Sequence, residues 1–228
     1  MKVVAFDLST RLIGVAIGQF NEDGTFKTVQ VLPIVPEQVN GHTLGFTTKN
    51  RKKIELRDGS TIRTFLKEGE LTITKTEAKR RDTLFREVRE IENLRNIGTQ
   101  IGFLLHHIKP DLILVERNEQ FNAVKTTKRL GEVAGGLYFY SGMFDIPLKR
   151  YSVHSLRATL DREIPGTVMK DGKVVVDVKM AVKLKLETWF ESEGIKVKGM
   201  SDATTDESDA LLVLWHYYKT EQEKRNQS

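Results

Sequence analysis

Residues 3–16 read VVAFDLSTRLIGVA, and this stretch decides the fold class. Together with apolar runs at 14–20 and 27–35 and turn residues at 21–24, it predicts a three-stranded antiparallel meander. The unbroken run of the first strand, residues 2–8, is typical of a strand covered on both faces of a sheet. The carboxylate of Asp7 at the end of that strand therefore requires an explanation.

Downstream, helical and strand patterns alternate. Residues 77–108 repeat apolar side chains at three- and four-residue steps, Pro110 ends that helix, and a buried strand follows at 111–116. The remaining predicted elements are a helix at 125–142, a strand at 149–152, helices at 153–160 and 177–192, and a last helix that begins near residue 206. This order predicts an α/β fold with a mixed five-stranded sheet and flanking helices.

Composition excludes several classes of protein. The chain has 228 residues, 39% hydrophobic and 29% charged, which is typical of a globular protein rather than a disordered one. It has no cysteine, which excludes disulfides and Cys-ligated metals and predicts a reducing cytoplasm, a host cytoplasm if a virus encodes the protein. We identify no targeting or membrane segment. The net charge of +5 favours polyanionic partners.

Four carboxylates form the strongest chemical signal. Asp7 and Glu116 each end an apolar strand, where an unpaired carboxylate is costly. Asp206 and Asp209 are three residues apart at a predicted helix start, so they share a face. Carboxylates without Cys suit Mg²⁺ or Mn²⁺, and two such ions about 3.5–4 Å apart catalyse phosphodiester hydrolysis.

Each acid also has a purely structural interpretation. Asp206 could be a first-turn acid beside a capping box of Thr204 and Glu207. Asp7 could cap a turn, and Glu116 could pair with a neighbouring cation. The combination of the four acids favours function.

The sequence resembles the RuvC-type Holliday-junction resolvases of the ribonuclease-H-like superfamily. The matching segments are residues 6–16 (FDLSTRLIGVA), 113–116 (ILVE), 130–136 (LGEVAGG) and 205–211 (TDESDAL). The resemblance implies a ribonuclease-H-like fold, Mg²⁺ held by all four acids, and a homodimer that cuts branched DNA symmetrically. It further implies that Phe121 stacks at the junction and that Arg157 and Lys179 meet phosphate.

The chain departs from that family in the length between its first two acids. The excess lies within about 36–92, a segment with a basic run at 50–53 and an Asp58-Gly59 hairpin signal. We interpret it as a basic arm inserted into a single nuclease domain, 1–228. The candidate phosphate contacts there are Lys52, Lys53, Arg80 and Arg81, although a dimer extension or an ordinary surface insertion would also fit.

Three other functions stay open at this stage. A flap- or fork-specific nuclease, or a ribonuclease H, would use the same acids on another substrate. A non-catalytic junction-binding protein would keep the basic surface without metal chemistry. Residues 7–10 also resemble the first phosphate loop of actin-like ATPases, but those proteins need a second domain and a second loop.

Overall fold

The structure is a computed structural model that describes residues 1–8, 12–34, 53–55, 61–63, 75–117, 124–170, 173–175, 177–201 and 203–227. The chain divides into two compact units, one formed by Met1–Val35 with Gly98–Ser228 and the other by Pro36–Ile97. The second unit covers the region of the predicted basic insertion, whose role as an arm on a single domain stays a prediction. No helix of the described residues is long and apolar enough to cross a membrane.

Ten strands and five helices make up the described chain. The strands are β1 (Lys2–Asp7), β2 (Ile13–Phe20), β3 (Phe26–Ile34), β4 (Lys53–Glu55), β5 (Thr61–Arg63), β6 (Leu112–Arg117), β7 (Leu148–Ser152), β8 (Met169–Lys170), β9 (Lys173–Val174) and β10 (Val197–Lys198). The helices are α1 (Lys75–Ile108), α2 (Val124–Met143), α3 (Val153–Glu163), α4 (Val178–Ser192) and α5 (Thr205–Gln227).

The main sheet has six strands in the order β10-β3-β2-β1-β6-β7. Strands β1, β2 and β3 form the predicted antiparallel meander, and β6 and β7 continue the sheet in parallel to β1. The predicted mixed α/β fold is thereby confirmed. Two short antiparallel pairs, β4 with β5 and β8 with β9, each form a separate two-stranded sheet.

The prediction of five strands in this sheet was wrong by one short strand at the edge. Strand β10 has only two residues and pairs in parallel with β3, opposite Val29 and Gln30. No alternating pattern can be recognised over two residues. Close packing is possible because Gly199 has a φ of 87°, and a Cβ on it would lie 2.4 Å from the Val31 carbonyl oxygen.

Helix α5 forms the centre of the core on one face of the sheet. Its residues from Ala210 to Trp215 are fully buried or nearly so, because β1 and β2 lie against one side and α3 and α4 against another. A helix that is apolar over most of its circumference is expected only in such an enclosed position. Side chains alternate along β1, so Val3 and Ala5 join the α5 cluster.

The glycines of α2 do not contact the sheet through the described residues. A Cβ built on Gly131, Gly135 or Gly136 would meet no described atom within 4 Å. Helix α2 instead buries Val133 and Leu137, which are larger and apolar. The glycines are thus left on its open side.

Candidate metal centre and active site

Two of the four predicted acids lie at the same edge of the sheet. Asp7 is the last residue of β1, and Glu116 lies near the end of β6. The two strands are parallel neighbours with Phe6 paired to Val115, so the next residue of each strand emerges beside the other. Both side chains are consequently positioned by strands in the interior of the six-stranded sheet.

Gly14 brings the other two acids to this edge. It is the β2 partner of Asp7, and a Cβ on it would lie 2.0 Å from the backbone carbonyl oxygen of Asp206. Any other residue would collide with the backbone there, so only glycine lets the start of α5 rest against β2. Sequence reasoning did not identify Gly14 as a site residue, and its only signal is a glycine inside an apolar strand.

A capping box fixes the start of α5. The Glu207 carboxylate accepts hydrogen bonds from the backbone N–H of Thr204, at 3.0 Å, and from its hydroxyl, and Glu207 is only 2% exposed. Lys183 of α4 donates to the Ala203 carbonyl oxygen at 2.7 Å, which holds the preceding loop. The helix end is therefore satisfied without the carboxylates of Asp206 and Asp209.

Three carboxylates converge at this point. Asp7, Asp206 and Asp209 each offer a carboxylate oxygen within 4.8 Å of the others. Glu116 lies outside this close group, although its charge acts on Asp7 and that of Asp209 acts on Glu116. The structure thus brings three of the predicted acids into one cluster and places the fourth beside it.

Burial and mutual repulsion disfavour the ionised forms of these carboxylates. Burial, followed by repulsion from Glu116 and Asp209, raises the pKa of Asp7 to about 8. Burial and repulsion from Asp209 raise the pKa of Glu116 to about 7, although Arg157 and Lys179 oppose this. Burial also raises the pKa of Asp209, and Lys179 partly offsets that increase. Carboxylates in such a setting are stabilised by a nearby cation.

Lys179 supplies one cation directly. Its ammonium lies 3.0 Å from Asp206 Oδ1 and 2.8 Å from Asp209 Oδ2. Partial burial lowers the pKa of Lys179, but the hydrogen bonds to Asp209 and Asp206 outweigh this and keep it above its usual value. Asp177 caps α4 by accepting from the Met180 N–H at 2.8 Å, and so sets the direction from which Lys179 approaches.

Arg157 is exposed on α3, near the acids. Its charge lowers the pKa of both Glu116 and Asp209. Helix α3 is oriented by the N-cap Ser152, whose hydroxyl accepts from the Ser155 N–H at 3.1 Å. Both basic residues expected near phosphate, Arg157 and Lys179, therefore border the acid cluster.

The other predicted DNA contacts lie outside the described residues or in the second unit. Phe121 and Lys52 lie outside the described residues, and Lys53 lies on β4. Arg80 and Arg81 lie on α1, in the part of that helix that belongs to the second unit. Their roles stay predictions.

The donor set of the cluster fits a hard divalent cation. Its ligand atoms are carboxylate oxygens, which Mg²⁺ and Mn²⁺ prefer. The raised pKa values of Asp7 and Glu116 also favour a divalent cation at this position. Such an ion would offset the repulsion that disfavours their ionised forms.

The fold is similar to that of solved RuvC structures. It is similar to Thermus thermophilus RuvC in complex with a Holliday junction substrate, with a TM-score of 0.52, 13% identity, and coverage of 97% of this chain and 96% of that chain. A second T. thermophilus RuvC structure gives a TM-score of 0.52 at 15% identity, covering 98% of this chain and 97% of its own.

The yeast mitochondrial Holliday junction resolvase Ydc2 gives a TM-score of 0.50 at 13% identity, covering 97% of this chain and 80% of that chain. No family model and no curated protein matches the sequence. The predicted RuvC-type resemblance is thus confirmed at the level of the fold.

Proposed function

We propose that this protein is a divalent-metal-dependent endodeoxyribonuclease that resolves four-way DNA junctions by symmetric nicks. The observation that carries the proposal is the cluster of Asp7, Asp206 and Asp209 at the sheet edge, with Glu116 beside it. Its support is the RuvC-type fold, since one similar structure is a RuvC bound to a Holliday junction substrate.

In this proposal the four acids hold Mg²⁺, with Mn²⁺ as a possible substitute. When bound, two such ions activate the attacking water and stabilise the leaving oxygen of the phosphodiester. Asp7 and Glu116 keep the site fixed because they belong to central strands. Lys179 and Arg157 attract the DNA phosphate toward the acids, which would otherwise repel it.

The wider DNA contacts belong to the same proposal. Phe121 would stack on a base at the junction, and Lys52, Lys53, Arg80 and Arg81 would contact phosphates of the arms. Such contacts predict binding that weakens steeply with salt. The compartment that we propose is the cytoplasm, because the sequence uses no cysteine.

We also propose a homodimer, because two symmetric cuts require two active sites related by a two-fold axis. An exposed apolar face supports it: Phe103 on α1 and Phe139 and Met143 on α2 are all exposed. The two helices pack closely where Gly102 meets Tyr140, so these residues belong to one helical layer. Sedimentation should give a dimer, and Phe139→Glu should give a monomer.

The decisive experiment compares cleavage and binding of end-labelled four-way junction, flap and linear duplex DNA in Mg²⁺. We expect paired nicks in the junction with wild type. Asp7→Asn should lower cleavage at least 10³-fold with junction affinity retained. Asp145→Asn is the matched control, because Asp145 is exposed in the α2–β7 loop and its φ of 53° tolerates asparagine.

Each other outcome selects a different function. Preferential cutting of flaps would keep the metal centre but replace the proposed substrate. Junction binding without cleavage by wild type would indicate a non-catalytic binding protein. Equal cleavage by Asp7→Asn and wild type would contradict the proposed site.

A further inference from the structure

A small hairpin lies between α3 and α4 along the chain. Strands β8 and β9 are antiparallel, with Met169 opposite Val174, and the Val175 N–H donates to the Val168 carbonyl oxygen at 2.9 Å. The pair forms its own two-stranded sheet rather than an extension of the main one. An isolated hairpin of this size is marginally stable in water without packing on another surface.

The hairpin exposes apolar side chains. Met169 is 57% exposed and Val174 is 55% exposed, and Val178, at the start of α4, is also 55% exposed. Met169 and Val174 form a cross-strand pair, so they lie on the same face of the hairpin. A hydrophobic cross-strand pair that remains largely in water contributes little to folding, so its apolar surface is available for contact with another molecule.

The charge of the hairpin indicates which kind of molecule would contact the pair of Met169 and Val174. The register pairs Lys170 with Lys173, and Asp171 and Gly172 separate them in the sequence. Like charges at directly opposed positions are unfavourable, and the one acid between them in the sequence, Asp171, balances only one of the two cations. An apolar pair followed by two cations suits a base stack flanked by phosphates better than it suits an ordinary protein surface.

The hairpin leads directly to the acid cluster. Asp177 caps α4, Val178 is its first residue, and Lys179 reaches Asp206 and Asp209 at 3.0 and 2.8 Å. Val178 is therefore the immediate chain neighbour of a residue that touches the site. The chain that follows the hairpin therefore reaches the acid cluster at Val178 and Lys179.

We infer that the β8–β9 hairpin and Val178 contact unpaired or unstacked bases beside the scissile phosphate, with Met169 and Val174 packing on the base faces. This inference rests on the proposed function and adds the element that recognises the open centre of a branched substrate. Apolar side chains, methionine among them, are used by DNA-binding proteins to wedge between base steps.

The test uses a four-way junction with 2-aminopurine beside the crossover, a base analogue whose fluorescence rises when it unstacks. The disruptive variant is Met169→Ser with Val174→Ser, and the matched control is Met169→Leu with Val174→Ile, which keeps the apolar surface. Both pairs lie at exposed positions outside the core, and circular dichroism checks their folding. Binding is measured with Asp7→Asn added, and cleavage with Asp7 intact.

We expect the serine pair to weaken junction binding about tenfold and to abolish the fluorescence increase, while the leucine–isoleucine pair retains both. Affinity for linear duplex DNA should be unchanged in all variants, because that substrate offers no unstacked base. Loss of affinity for every DNA to the same degree would overturn the inference, since it would indicate a general phosphate contact.

The outcomes separate this inference from the proposed function. If wild type cleaves junctions and the serine pair behaves like wild type, the hairpin inference is wrong and the nuclease function stands. If wild type binds junctions without cleaving and the serine pair loses the fluorescence signal, the hairpin inference stands alone. A changed oligomeric state with unchanged DNA binding would instead assign the hairpin to a protein contact and overturn the inference.

Discussion

The two ends of α5 differ in how their polar groups are satisfied. At the start of the helix, Asp206 and Asp209 lie within a group of carboxylates whose mutual repulsion is only partly offset by Lys179. At the far end, Gln222 donates to the Gly24 carbonyl oxygen at 3.2 Å and Arg225 donates to the Glu22 carbonyl oxygen at 3.5 Å. The start of the helix brings negative charges together, and its far end is attached to the β2–β3 turn by hydrogen bonds.

Aromatic packing strengthens the far end. The Phe20 and Phe26 rings are 4.7 Å apart, and the Tyr218 ring lies 4.6 Å from Phe26. Stacked aromatic pairs of this kind contribute about 0.5–1.5 kcal/mol each beyond the burial of their area. The far half of α5 therefore raises the free energy of unfolding, whereas the repulsion between carboxylates at its start lowers it.

The comparison indicates how an unfavourable site is maintained in a stable fold. Buried carboxylates that repel each other persist only where the surrounding structure holds them in place. Here one continuous helix carries both the repulsive cluster and the contacts that anchor it. The following substitutions should separate the two contributions.

Gly14→Ala should have the largest effect on stability. Its Cβ would collide with the Asp206 backbone, so the start of α5 must move away from β2. We expect a loss of about 3 kcal/mol in the free energy of unfolding, and loss of cleavage. Urea denaturation measures the loss of stability, and the junction assay measures the loss of cleavage.

Gly136→Ala provides the matched control for that substitution. No described atom lies within 4 Å of its Cβ, and alanine is the better helix former, so it should be neutral or stabilising. Equal destabilisation by both substitutions would contradict the role given to Gly14.

Asp7→Asn should stabilise the metal-free protein, by about 2 kcal/mol at pH 8. The pKa of Asp7 is raised from 3.8 to about 8 by folding, so its protonated form favours the folded state. That stability is fully present below about pH 4 and is lost as the pH rises through about 8. Asparagine does not titrate, and its advantage should therefore grow between pH 4 and pH 8.

Melting temperatures across this pH range, measured in EDTA and again in Mg²⁺, test the prediction. Mg²⁺ should raise the melting temperature of wild type at pH 8 and have much less effect on the variant. A variant that is less stable than wild type at pH 8 in EDTA would show that Asp7 has a structural role.

Lys179→Met should lower the stability of the metal-free protein by about 1 kcal/mol, because its ion pairs are partly exposed. The same change should increase the stabilisation by Mg²⁺, since the ammonium no longer occupies the oxygens of Asp206 and Asp209. Thermal melts with and without Mg²⁺ measure both effects. Lys196→Met, at an exposed position, should change neither value.

Gln222→Ala should have the smallest effect, about 0.5–1 kcal/mol, because it removes one hydrogen bond to the β2–β3 turn. Cleavage should be unchanged, since the site lies at the other end of the helix. Urea denaturation and the junction assay test this pair of expectations, and an equal loss of cleavage and stability would mean that the two ends are not separable.

Much of this architecture follows from local patterns in the sequence. The continuous apolar run of β1 predicted a central strand, and the three- and four-residue repeat predicted α1, because these periods follow from backbone geometry alone. The Thr204 and Glu207 spacing predicted the cap of α5, which depends on only four residues.

The arrangement of the site required more than such patterns. The sequence predicted Asp7, Glu116, Asp206 and Asp209 at three element ends, but the separation that leaves Glu116 outside the closest group depends on strand register and on the path of α5. The two-residue strand β10 and the ion pairs of Lys179 were not predicted for the same reason.

Residue type and spacing along the chain were thus sufficient for the fold class, for the choice of candidate acids and for the approximate ends of most elements. Those properties depend on neighbours within a few residues. The close approach of α5 to Gly14, the shared edge of β1 and β6 and the raised pKa of Asp7 arise from contacts between residues about 100 or 200 positions apart. They exist only after the chain has folded, because burial and repulsion between carboxylates act through space rather than along the sequence.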